Sequence, residues 1–398
     1  MRRVAVTGLG LRTPAGGSGK ELWNTLLAGR STARPITDFD VAGLMVGVAC
    51  QTVLDVEGYL TPKEARRYDR LTQLAVCAAA DALTDAGDLA ASPERRGVVT
   101  GSGFGGTATI ESGMLDGRHP GRGNPGPLHV PMVMANAPAA AVSMRHDLRG
   151  PSMTVTTACA SGGHAIGEAA RLIRDGTADV MVAGGVEASV TATVLLAFDR
   201  SATLSRTEAR PFDVERDGFA LAEGAAFLVL EELSHARARG ARIHAELAGY
   251  ASTSDAYHLT ASAPGGEGAH RCMAAAIADA RLTPADITHV NAHGTGTRLN
   301  DLNEAQAITR LFGAGGVPVT SIKGVTGHAI GAAGAVEAVA CVLSIVEHVV
   351  PPTGGLRNLD PACEIDAVLL PRPMPAGPVL SNSFGFGGHN AALVFTPV

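Results

Sequence analysis

The chain reads as an α/β protein made of two similar halves, and three features of its sequence say so. Short runs with strand character alternate with alanine-rich helical runs from end to end, the pattern of layered α/β units. The pentapeptide Gly163-His164-Ala165-Ile166-Gly167 recurs as Gly327-His328-Ala329-Ile330-Gly331, each time opening an alanine-rich helix. The strand and glycine loop at 97–106 likewise recur at 288–297. No Pro/Ser-rich linker marks the junction near residue 245. Halves 1–244 and 245–398 are therefore expected to pack as one body, with largely parallel sheets.

The elements follow from local signals. Residues 2–10 predict a first strand ending in Gly8-Leu9-Gly10, then a glycine-rich loop and a helix around 21–28. Thr61 followed by Pro62 is an N-cap with proline at the first helical position. Behind it Lys63, Arg66, Arg67 and Arg70 fall at i, i+3, i+4 and i+7, one positive face, and 71–83 continues as a buried helix. The strand at 97–100 leads into Gly101-Ser102-Gly103-Phe104-Gly105-Gly106, which fits G-x-G-x-x-G. No acidic residue follows the next strand at the dinucleotide spacing, so these glycines are read as points of close backbone approach. Residues 120–131 are expected as loop. A strand end at 154–157, a helix at 166–174 and a buried strand at 179–185 come next. A loop over 198–217, a strand at 225–230 and a polar helix at 231–240 complete the first half.

Composition narrows the function. Hydrophobic residues make up 46% and charged residues 18% of 398, with 49 glycines, which describes a compact protein rich in tight turns. The net charge of −6 argues against a nucleic-acid binder. No apolar run is expected to reach the ~18 residues of a membrane span, so the reading is a cytoplasmic protein with no membrane contact. Cysteines at 50, 77, 159, 272, 341 and 363 form neither a disulfide framework nor a zinc pair, and no metal is expected.

The chemistry gathers at element ends. Cys159, in Thr157-Ala158-Cys159-Ala160-Ser161-Gly162, sits at a strand-to-helix corner. Unpaired N–H groups and the helix dipole there are expected to favour a thiolate. His293 and His328 each lie in a loop of small residues after a strand. Lys323 ends the strand 319–322 amid apolar neighbours, and Glu337 in the following helix is a candidate partner for its charge. His164 and His389 are read as structural. One histidine with the cysteine would suit a hydrolase. Two neutral histidines suit carbon–carbon bond formation, where they donate hydrogen bonds to a developing enolate.

Four motifs then bring out a resemblance. The cysteine motif at 157–162, Asn291-Ala292-His293-Gly294-Thr295-Gly296-Thr297, Lys323-Gly324-Val325-Thr326-Gly327-His328 and Asn382-Ser383-Phe384-Gly385-Phe386-Gly387-Gly388 resemble the β-ketoacyl-acyl carrier protein synthases. The resemblance is closest to the elongating Cys-His-His type of fatty acid and type II polyketide synthesis. It implies a dimeric thiolase fold, a duplicated five-layer αβαβα body with the nucleophile in 1–244 and both histidines in 245–398. It implies that Cys159 takes the acyl chain and that His293 and His328 support decarboxylation of malonyl-carrier. Lys323 and Glu337 would hold the field around His328, and the N–H groups of Cys159 and Phe386 would form an oxyanion hole. Thr295 and Thr297 would bind the phosphopantetheine arm. Phe104, Phe198 and Phe384 would line the substrate pocket, with Phe386 as its gate.

Lys63, Arg66, Arg67 and Arg206 would dock the acidic acyl carrier protein. No cofactor is implied for the chain itself, since substrates arrive on the carrier's phosphopantetheine. The second subunit would be another copy or a chain-length-factor-like homologue. The chain departs from the pattern at Phe104, where isoleucine is frequent, at His389, where threonine is common, and in a shorter loop after Leu204.

Overall fold

The computed structural model describes residues 2–115 and 126–398. The repeat seen in the letters is a repeat of topology. From one edge, the sheet runs Asp366–Ala367, Pro318–Thr320, His289–Asn291, Val379–Gly385, His389–Thr396 and Ala245–Ser254. It continues through Val4–Arg12, Gly224–Glu232, Val180–Glu187 and Arg96–Gly101 to Ser152–Val155. Numbered within each half, the five principal strands lie in the order 1-5-4-2-3 on both sides of the seam. The seam itself is slight: only Ala5↔Glu246 and Val6↔Ala245 pair across it.

Among its five principal strands each half holds two parallel and two antiparallel pairs, and in the second half the edge strand Asp366–Ala367 adds a third parallel pair. The sheets are thus mixed rather than largely parallel. Helical crossovers give parallel neighbours, whereas the last strand of each half returns antiparallel between the first and the fourth.

Helices complete the layers. Arg70–Ala86 and Ala137–His146 cover the outer face of the first half, and Glu267–Asp279 and Arg298–Phe312 cover that of the second. Between the two sheet halves lie Ser161–Arg174 and Ala333–Glu347, packed on each other and on strands from both sides. These middle helices are the two that the recurring pentapeptide opens. Their small residues let helix and sheet backbones approach closely, and one continuous core joins Ile166, Ala169 and Ile173 to Val336, Val339 and Val342. The stretch Ile330–Glu347 does reach 18 residues with mean hydropathy 1.8, against expectation, and 83% of it is buried inside this core.

Several local expectations shift. The basic segment is not one helix. Pro62–Ala65 makes a single turn, closed by the Thr61/Glu64 capping box, and Asp69 caps a new helix from Arg70. Arg70 consequently leaves the positive face and binds Glu223 through both carboxylate oxygens, at 2.8 and 2.6 Å. Phe198 lies in the helix Ala192–Arg200 rather than in loop. The loop expected over 120–131 lies partly outside the described residues, and from His129 the chain is helical to Val133. Lys323 opens a one-turn helix, Lys323–Thr326, after the strand Pro318–Thr320.

Candidate active site

Cys159 stands on an elbow between the strand Ser152–Val155 and the helix Ser161–Arg174. Ala158 takes φ of +51°, a left-handed conformation that costs a non-glycine residue about 1–2 kcal/mol. Ala160 and Ser161 then donate their N–H groups to the carbonyls of Thr157 and Ala158, at 3.1 and 3.2 Å. The elbow thus uses donors that the sequence reading left free for the sulfur. The N–H groups that do favour the sulfur's anion are those of Cys159 itself and of Phe386. Gly385 allows that approach, since a Cβ there would lie 3.1 Å from the Cys159 nitrogen.

The sulfur is buried among Leu195, Leu204, Phe219 and Ile330. Burial pushes its pKa up to about 12, against the opposing pull of the Lys323 charge. The expected thiolate is therefore a thiol. The cause is desolvation, which outweighs the helix terminus.

Across the cavity the rings of His293 and His328 meet edge to face, centroids 5.3 Å apart. Burial holds both pKa values well below 6.5, and the Lys323 charge lowers each further. Both rings are neutral. His328 is clamped by its backbone, donating to the Ala220 carbonyl at 2.8 Å and accepting from Ala222 at 3.0 Å. Its ring also meets Phe219 edge to face at 5.2 Å.

Lys323 was expected, with Glu337, to hold the field and geometry around His328; its charge does act on that ring, but its contacts are with His293. Its Nζ donates to the His293 carbonyl at 2.6 Å and lies 3.3 Å from Nδ1. It also binds Glu337, whose carboxyl burial pushes up to about 7. Because an ammonium only donates, His293 Nδ1 must accept, which leaves the ring proton on Nε2.

The sequence reading missed the support beneath this loop. Glu304 accepts the N–H groups of His293 and Gly294, each at 2.7 Å. Asp301, one turn earlier, accepts those of Phe212 and Gly296. Two acids at i and i+3 on a helix that directly follows a glycine loop were the available signal. Glu187 was missed as well, and no short-range pattern marks it. His164 is structural as read, bridging Thr157 and Ser252 at 2.7 and 3.0 Å.

One cavity of about 570 Å³ joins these groups. Cys159, His293 and His328 line it together with Thr295, Thr297, Phe104, Phe198, Phe384 and Phe386. The two threonine hydroxyls are 2.9 Å apart. Lys323 and Glu337 stand behind His293 rather than in the wall. Lys63, Arg66, Arg67 and Arg206 are outside the cavity, exposed on the surface. The glycines at 101 and 103 serve close approach, against Ser161 and Ile330 respectively.

A duplicated five-layer body whose two middle helices follow a cysteine elbow and a histidine turn defines a thiolase-fold protein. The family models agree in detail: "Beta-ketoacyl synthase, N-terminal domain" matches residues 1–236 and "Beta-ketoacyl synthase, C-terminal domain" matches 244–357. The chain belongs to the β-ketoacyl synthase family. It is 43% identical to a 3-oxoacyl-(acyl-carrier-protein) synthase 2 of Rhizobium meliloti, over 99% of this chain and 98% of that one. Among solved structures, a β-ketoacyl synthase from Burkholderia phymatum superposes with TM-score 0.93 at 36% identity, covering all of both chains. A type II polyketide ketosynthase, solved with its acyl carrier protein and bound to the hexaketide, superposes with TM-score 0.90 at 33% identity. That match covers 100% of this chain and 99% of the other.

Proposed function

We propose that this chain is an elongating β-ketoacyl-acyl carrier protein synthase of fatty acid or type II polyketide synthesis, working in the cytoplasm. The observation that carries the reading is the convergence of Cys159, His293 and His328 on one cavity. In the first half-reaction the Cys159 sulfur attacks an acyl thioester on a carrier's phosphopantetheine. The N–H groups of Cys159 and Phe386 stabilise the oxyanion, the carrier thiol leaves, and the Cys159 proton goes to it. Malonyl-carrier then enters. Nε2–H of His293 and the ring of His328 hydrogen-bond its thioester oxygen while CO2 departs, and the resulting enolate attacks the acyl-Cys159 carbonyl. The Cys159 sulfur leaves and regains a proton, and the carrier bears the β-ketoacyl product. Neutral rings suit this role, since they stabilise a developing enolate oxygen without themselves giving up a proton.

The remaining assignments belong to the same reading. Thr295 and Thr297 hold the phosphopantetheine arm, while Phe104, Phe198 and Phe384 shape the acyl pocket. Phe386, 41% exposed on a turn of left-handed glycines, is the gate. Lys323 and Glu337 fix His293. Lys63, Arg66, Arg67 and Arg206 receive the acidic carrier protein. The nucleophile belongs to 1–244 and the histidines to 245–398, a division supported by the repeated strand order. The second subunit is this chain again or a cysteine-less homologue, and native mass spectrometry of the purified protein distinguishes one mass from two.

The test is direct. Incubated with an acyl-carrier thioester, the protein should gain the acyl mass on Cys159, and with malonyl-carrier it should release CO2 and form the β-ketoacyl product. Acylation without CO2 release would make it a simple acyltransferase or thioesterase. No acylation would make it a non-catalytic partner subunit.

A further inference from the structure

Phe104 and Ile330 form part of the cavity wall, on loops far apart in sequence. Those loops meet backbone to backbone. A Cβ on Gly331 would lie 2.4 Å from the Gly103 nitrogen, and one on Gly103 would lie 2.8 Å from Ile330 Cγ2. Backbone N–H groups in so close a contact need an acceptor from within the protein. Glu187, the last residue of the strand Val180–Glu187, supplies it. Its Oε2 accepts from Gly103 at 2.7 Å and from Gly331 at 3.1 Å. The side chain is fully buried, and its Oε1 has no hydrogen-bond partner among the described residues. A carboxyl without a cation is a costly filler for a glycine-lined junction, which an apolar side chain would occupy more stably were there no N–H groups to satisfy.

We propose that Glu187 is a positioning residue which, by holding Gly103 and Gly331 on one oxygen, sets the spacing of Phe104 and Ile330 and hence the acyl lengths the cavity accepts. The inference rests on the reading that Cys159 carries the acyl chain into this cavity. Burial pushes the Glu187 carboxyl up to about 7, so the neutral acid is accessible to it. A neutral acid keeps Oε2 as acceptor, and a glutamine amide oxygen reproduces that contact. Alanine does not.

The experiment follows acylation of Cys159 by intact-protein mass spectrometry, using short, medium and long straight-chain acyl-pantetheine thioesters. The readout is the long-to-short ratio of kcat/KM. Glu187→Gln should keep that ratio within about threefold of wild type, whereas Glu187→Ala should shift it about tenfold toward long chains, the scale set by two orphaned buried donors. Gly103→Ala, whose added Cβ would lie 2.8 Å from Ile330 Cγ2 and 2.9 Å from Glu187 Oε2 and so forces the same junction apart, should shift the ratio in its own right and serves if Glu187→Ala does not fold. An unchanged ratio in the folded variants, even with all rates lowered together, would overturn the inference. A wild-type protein that no thioester acylates would overturn the acyl-carrying reading, and this inference with it.

Discussion

The ammonium of Lys323 donates to the carbonyl oxygen of His293 at 2.6 Å while lying 3.3 Å from the same residue's Nδ1. One buried cation thus sets the position, tautomer and charge of an imidazole in the cavity wall. It is itself held by Glu337, and both side chains are 1% exposed. Lys323→Met should destabilise the protein by about 3 kcal/mol, because it leaves the Glu337 carboxyl buried without its partner. Adding Glu337→Leu should restore at least half of that loss in urea denaturation. In the double variant the His293 pKa should rise, since a neighbouring positive charge is gone, and the acid limb of malonyl decarboxylation should move to higher pH.

His289 offers a separate test of buried neutral histidines. Burial lowers its pKa to about 3, and neither ring nitrogen has a partner among the described residues. Below the ordinary histidine pKa of about 6.5, the unfolded chain binds a proton here that the folded chain refuses, so stability falls as pH falls. His289→Leu removes that linkage. Its advantage over wild type in urea denaturation should grow by about 1.4 kcal/mol per pH unit between pH 6 and pH 4. A constant difference across that range would show that the ring is protonated in the folded state.

The Phe104 ring meets Phe198 edge to face at 6.2 Å, inside the cavity. Phe104→Ala should lengthen the acyl pocket and raise kcat/KM for longer acyl thioesters relative to short ones by about tenfold. Product analysis with a series of acyl-carrier substrates checks it, and an unchanged length preference would remove Phe104 from the pocket's limiting wall.

Arg66 and Arg67 are exposed on the surface beside Lys63. Reversing both to Glu should raise KM for carrier-bound substrates about tenfold, an effect that shrinks as salt is added, and leave small thioesters unchanged. Equal losses with both substrates would remove the docking role. Arg70 should behave differently, because its guanidinium is spent on Glu223. Arg70→Ala should lower stability rather than raise KM.

How much of this was legible in the letters depended on the range of the interaction. The duplication, the elbow at Cys159 and the three side chains that line the cavity, Cys159, His293 and His328, were readable, because strand and helix periodicity, glycine punctuation and short motifs are all local. Arg70 shows the limit. Its spacing put it with Lys63 and Arg66, yet a residue 153 positions away claims it. Lys323 is nearer to His328 in sequence but turns to His293, 30 positions earlier.

The sequence alone determined that the chain is a doubled α/β unit with a cysteine before one central helix and a histidine before the other. Only the tertiary structure decided that Cys159 is held as a thiol, that Lys323 orients His293, and that Glu187 ties Gly103 to Gly331. Desolvation and buried pairing depend on what the fold brings within a few ångströms, and neither composition nor periodicity carries that distance.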